Sequence, residues 1–167
     1  AASAQVRSVP TTVLDGLYRW TGTAPLAEIV HVIVQRDPES LGKAAFENLI
    51  ADGKAARIAE MMLAKGKIFP AFIEVLAHDQ WPVRLGAMVA VEYLLDENPV
   101  LARNLEPLLW ERFDHVPDMT KGDLLQVLGD IGNETTLLRL KTIAGTSPSP
   151  EVREAAADGI EKISQSV

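Results

Sequence analysis

From Pro25 onward apolar residues recur at steps of three and four, and Gly, Pro, Asn and Asp interrupt the pattern about every 10 to 18 positions. That period predicts helices, over about residues 25–36, 40–52, 54–65, 69–78, 82–96, 99–113, 118–131, 134–145 and 150–164. Leu41, Ala45 and Leu49 share one helical face, as do Ile58 with Met62, Leu101 with Leu105 and Leu108, and Leu137 with Leu140 and Ala144. Met61 and Met62 read as core filler. Ser40, Asn98, Asp118, Asn133 and Ser149 stand where a side-chain oxygen can accept from the unpaired amides of a first turn. Pro99 and Pro150 follow two of these caps, at positions where a missing N–H costs nothing.

The first 22 residues carry a different pattern. Thr11-Thr12-Val13-Leu14 and Leu17-Tyr18-Arg19-Trp20 are β-prone runs on either side of Asp15-Gly16. Asp-Gly favours a two-residue type I′ turn, because both central residues need positive φ. A β-hairpin is therefore predicted here, ended by Gly22, with Thr23 as cap and Pro25 in the first turn of the helix that follows.

The helical part repeats itself. Val83-Arg84, Ala87, Val91 and Leu94 align with Val152-Arg153, Ala156, Ile160 and Ile163 at the same internal spacing. Lys121, Leu124, Leu128 and Ile131 keep those steps between them, with Lys at the Arg position. Each of these helices follows another helix, so three pairs are expected: Phe69-Ala77 with Pro82-Leu95, Pro99-Phe113 with Asp118-Ile131, and Glu134-Ala144 with Pro150-Ile163. Over residues 68–164 the pattern resembles HEAT repeats, whose second helix commonly carries a Val-Arg pair followed by small and then larger apolar residues. The resemblance implies a mainly α fold, a right-handed α-α superhelix of HEAT-like helix pairs preceded by the β-hairpin. It also implies a structural role for Arg84 and Arg153, and a wall of second helices suited to gripping a protein or peptide.

Val6-Arg7-Ser8-Val9-Pro10-Thr11, a strand, Asp15-Gly16, a second strand and Gly22 look like the last third of a thioredoxin-fold domain. That likeness covers residues 1 to about 36. It implies that Pro10 corresponds to the family's cis-proline and that Val9 pairs through its backbone with an extended substrate segment. The Cys-x-x-Cys of the family is missing, so the chain is expected to be a fragment of a longer thioredoxin-like protein. The expected division is 1–36 as the thioredoxin-like part, 37–67 as connecting helices and 68–167 as HEAT-like repeats. Without its neighbouring strands, the segment around Thr11-Leu14 would be an open edge, and a homodimer through the hairpin is expected.

Composition narrows the chemistry. The 167 residues include no cysteine, which removes disulfides, thiolate metal sites and thiol nucleophiles from the chain itself. A formal charge of -7, without runs of like charge, argues against tracking the phosphates of a nucleic acid. No apolar stretch approaches the roughly 20 residues a bilayer demands, and AASAQVRSVP lacks the segments of a signal peptide. No membrane association is expected, and the location is read as cytoplasmic, with export undecidable if sequence precedes Ala1.

No catalytic constellation stands out. His31, His78 and His115 lack metal-ligand spacing and read as surface or capping residues. Gly129-Asp130-Ile131-Gly132-Asn133 follows a helix, not a strand, and reads as a helix end and turn rather than a phosphate loop. Glu92 and Asp96, at i and i+4, read as a solvated face. No metal and no cofactor are expected, and a HEAT-like enzyme such as a bilin lyase or a nucleic-acid glycosylase is disfavoured. Large aromatics anchor interfaces disproportionately; among Trp20, Trp81, Trp110 and Tyr93, the protein-binding candidates are Trp81 and Tyr93. The function expected is a non-catalytic interaction module. The alternative is part of a thiol-disulfide oxidoreductase whose Cys-x-x-Cys lies upstream.

Overall fold

The structure is a computed structural model that describes residues 11–14, 18–21, 26 and 38–166. Two strands, β1 (Thr11–Leu14) and β2 (Tyr18–Thr21), pair antiparallel with Leu14 opposite Tyr18 and Thr11 opposite Thr21. A two-residue Asp15-Gly16 turn would have set Leu14 against Leu17. The observed register instead leaves three residues, 15–17, between the paired ends, and those residues lie outside the described part.

A single 3-10 turn, Pro38–Ser40, precedes a run of helices. These are α1 (Lys43–Ala51), α2 (Ala55–Lys65), α3 (Pro70–Leu76), α4 (Trp81–Glu97), α5 (Pro99–Arg103), α6 (Leu105–Phe113), α7 (Asp118–Ile131), α8 (Glu134–Thr146) and α9 (Pro150–Ser166). Local chemistry explains most of the boundaries. Gly53 (φ 71°) and Gly66 (φ 63°) take the left-handed conformation that closes α1 and α2. The next amide along, on Lys54 or Lys67, then reaches back to the carbonyl of Leu49 or Met62. Asn98 caps α5 through the Leu101 amide at 3.0 Å, and Asn133 caps α8 through Thr135 and Thr136 at 2.8 and 3.2 Å. Ser149 accepts more weakly from Val152, at 3.4 Å.

Three local expectations are corrected. Ser40 lies in the 3-10 turn, and the N-cap of α1 is Gly42, with no side-chain bond. Asp118 is the first residue of α7 and not its cap, which is Pro117. The helix predicted over 99–113 is two helices meeting at Asn104. Pro107 explains the break: it has no N–H to offer the carbonyl of Arg103, and its ring collides with that carbonyl in a continuous helix.

The helices pack as pairs, α3 with α4, α5 and α6 with α7, and α8 with α9. The helices of the connecting segment, α1 and α2, also pack on each other and then on α3 and α4. Second helices touch in succession, α2 to α4, α4 to α7 and α7 to α9, while α1, α3 and α6 form a parallel series of first helices. This is the packing expected of a helical-repeat architecture of the HEAT or armadillo type. No pair could bury its apolar stripe alone, and the stack merges the stripes into one core running from Phe46 and Phe69 to Leu140 and Ile163. Phe46 and Phe69 meet edge to face, with centroids 6.3 Å apart. Met61 and Met62 are both buried in it.

Candidate protein-binding surface

The repeated arginine decides which side chains of its helix remain free. Arg84 is buried, and its Nη1 donates to the carbonyls of His78 (2.7 Å) and Asp79 (3.0 Å), six and five residues back. Arg153 donates to Ser147 (2.7 Å) and Pro148 (3.2 Å) at those same two offsets. Each arginine thus satisfies the carbonyls of the turn leading into its own helix. Arg84 also donates through Nε to Asp123 of α7, at 2.5 Å, which ties one pair to the next. Lys121, in the middle copy, is too short for the clasp and pairs with Asp118 at 3.0 Å.

His78 belongs to the same turn. It is buried, not at the surface. Its Nδ1 accepts the Gln80 amide at 2.9 Å, which leaves the proton on Nε2 to face Glu47 at 3.0 Å. His115 is exposed, and His31 lies outside the described residues. Among the described residues no group of three His, Cys, Asp or Glu side chains could hold a metal ion, and no helix is long and apolar enough to cross a membrane.

With Arg84 turned inward beside Ala87, Ala90, Val91 and Leu94, the opposite side of α4 faces solvent. That side carries Trp81 (53% exposed), Leu85 (42%) and Tyr93 (46%), with half-buried Val89 between them. Successive steps of four keep the side chains on one slowly turning stripe. Trp81 and Tyr93 stand about 18 Å apart along the axis at 1.5 Å per residue. The equivalent stripes of α7 (Asp118, Gly122, Gln126, Asp130) and α9 (Pro150, Glu154, Asp158, Lys162) are small, polar or charged. The large apolar exposure along the line of second helices is therefore concentrated on α4, joined at the start of α7 by Met119 (73% exposed).

The other aromatic candidates divide differently. Trp110 is buried, with Phe113 against it edge to face at 5.3 Å and the Arg139 guanidinium stacked on its ring at 4.0 Å. Val9 and Pro10, and the side chain of Trp20, lie outside the described residues.

A concavity of about 550 Å³ has no signature in the sequence. It lies between α6 and the start of α8, lined by Glu106, Pro107, Trp110, Asn133 and Arg139 among others. Glu106 is committed within it, accepting from Asn133 Nδ2 at 2.9 Å and from the buried Thr136 hydroxyl. Its carboxylate thereby holds the N-terminus of α8 against α6. These pairings span 27 and 30 residues, so no local motif announces them. Compared with known proteins, the chain matches no family model, no curated protein and no solved structure.

Proposed function

We propose that this chain is a non-catalytic interaction module, a right-handed HEAT-like stack that binds another protein through the outward face of α4. The observation carrying the reading is the exposed row of Trp81, Leu85 and Tyr93 on one helix of a rigid stack. Exposed aromatics on a regular element are pre-ordered, so little side-chain entropy is lost when a partner covers them. The polar groups of the turn that leads into α4 are engaged in structure, Arg84 on the His78 and Asp79 carbonyls and His78 on Glu47 and the Gln80 amide, which supports this reading. The likeness of residues 1–36 to a thioredoxin-fold C-terminus, with Val9 and Pro10 as its substrate-contacting pair, makes attachment to a thiol-disulfide oxidoreductase domain the finer form of the proposal. A Cys-x-x-Cys encoded upstream of Ala1 is its test.

The interaction reading is tested by affinity capture with the Trp81→Ala/Tyr93→Ala double variant beside wild type, using Leu138→Ala, an exposed apolar residue on α8, as control. Capture of a partner is expected to fall in the double variant and to persist in the control. Equal recovery from wild type and the double variant would remove α4 as the binding face.

A further inference from the structure

The exposed face of α4 has a charge of one sign. The helix has one cation, Arg84, which is buried in its clasp, and three anions, Glu92, Asp96 and Glu97, all exposed in its last two turns. Their placement is unfavourable to the helix that bears them. Glu92 and Asp96 are like charges at i and i+4, a spacing that destabilises an isolated helix. Asp96 and Glu97 also sit at the end where the macrodipole is already negative, and the last turn has no basic residue to compensate.

Two acids of α7 are answered within the stack, whereas among the described residues Glu154 and Asp158 of α9, also at i and i+4, are not. Asp130, which occupies the position in α7 equivalent to Tyr93 in α4, is met by Lys162 of α9 at 2.6 Å. Asp123 is met by Arg84. Among the described residues Glu92, Asp96 and Glu97 have no hydrogen-bonding or ionic partner. The same face therefore joins an apolar half, Trp81 and Leu85, to an acidic half, with Tyr93 between them. A rule of helix design broken without internal compensation, beside exposed aromatics, is the pattern expected where a partner supplies the missing charge.

We infer that the occupant of this face is a basic amphipathic segment of another protein. Its apolar side chains, at i, i+3 or i+4 and i+7, cover Trp81, Leu85 and Tyr93, and its lysines or arginines lie over Glu92, Asp96 and Glu97. This rests on the interaction reading above and adds the chemistry of the partner. A helical segment of about 12 residues spans the stripe, given the rise of a helix.

Selection of a random-sequence peptide display library on the immobilised chain tests the inference. The expected winners are rich in Lys and Arg, carry apolar residues at helical spacing, and lose roughly tenfold or more in affinity against Trp81→Ala. Against the Glu92→Gln/Asp96→Asn/Glu97→Gln variant they are expected to lose about tenfold, together with most of their salt dependence. All four positions are exposed, so circular dichroism of the variants should match wild type. Winners that depend on Trp81 but are acidic or uncharged would overturn the basic partner and leave the interaction reading standing. If no peptide depends on Trp81, both fall. Self-association in sedimentation that Trp81→Ala abolishes would make a second copy of this chain the occupant and overturn the inference.

Discussion

The junctions of α4 with α7 and of α7 with α9 both join successive second helices, and they do so by different means. Between α4 and α7 the link is polar: a buried guanidinium reaches across to Asp123 while holding the turn behind it. Between α7 and α9 it is steric, because Gly129 and Gly159 face each other and a Cβ on Gly129 would stand 2.8 Å from the Gly159 Cα. Backbones that approach this closely pack along much of their length, whereas α4 and α7 meet over a shorter stretch. One repeat pattern therefore tolerates two solutions, a directional one where helices stand apart and a contact one where small residues let them close.

Removing the polar link should have the largest effect. Arg84→Met is expected to lower unfolding free energy by about 3 kcal/mol, since it leaves two turn carbonyls and Asp123 without their donor. Arg153→Met removes the equivalent clasp, but Arg153 is only half-buried and has no Asp123 counterpart, so about 1 kcal/mol is expected. Urea denaturation of the two variants measures the gap, and equal losses would mean that Asp123 contributes nothing to the junction.

The steric link should show an asymmetry between its two glycines. In Gly129→Ala the new methyl meets backbone that cannot step aside, at about 1–3 kcal/mol for overpacking, against about 1 kcal/mol gained in helix propensity. A net loss of up to about 2 kcal/mol follows. In Gly159→Ala the first obstacle is the Leu140 Cδ1 methyl at 3.1 Å, the end of a flexible side chain. The propensity gain then largely offsets the strain, and stability within about 0.5 kcal/mol of wild type is expected. Thermal unfolding of both separates backbone contact from side-chain contact as the cause of the close approach.

The contrast also marks what sequence can carry. Helix limits were legible because their signals are local: Asn98 and Asn133 cap where they should, and Gly53 and Gly66 stop helices without needing the rest of the chain. The repeat of Val-Arg positions aligned Arg84 with Arg153, the likeness to HEAT repeats implied a structural role for both, and the two clasps have identical offsets. Pro107 was legible too, but the apolar spacing of Leu101, Leu105 and Leu108 runs through it and hides the break. Gly129 falls within the helix expected over 118–131, at the start of the segment that reads as its end and turn, and nothing local demands a glycine there. The demand comes from Gly159, 30 residues away. Asp123 and Glu106 were missed for the same reason, since their partners are 39 and about 30 residues distant. Trp81 and Tyr93 could be singled out as aromatics, but their common exposure followed only once Arg84 fixed which side of α4 turns inward.

A smaller effect is expected at the cap of α8. Asn133→Ala removes acceptors for the Thr135 and Thr136 amides and a donor to Glu106, for a loss of about 1 kcal/mol. Asn133→Asp keeps the cap and sets a carboxylate against Glu106, so it separates the two contributions. Stability close to wild type in the Asp variant would assign the effect to the cap alone.

The smallest effect is electrostatic and lies at the start of α9. The carboxyl of Glu151 is held below its usual range by its own backbone amide and then by the Ser149 hydroxyl, which donates to it at 2.9 Å. A carboxylate there also faces the positive end of the helix dipole. Because its acidity is greater in the folded chain than in the unfolded one, the ionised form stabilises the fold above the ordinary glutamate pKa, about 4.3. That contribution disappears as pH falls through the lower, folded value. Glu151→Gln should therefore melt slightly below wild type at pH 7, and the two curves should converge once the pH has fallen below the folded-state value. The group is exposed, so salt should shrink the difference at neutral pH. A gap that persists unchanged into acid would show that the side chain acts through its hydrogen bond with Ser149 and not through its charge.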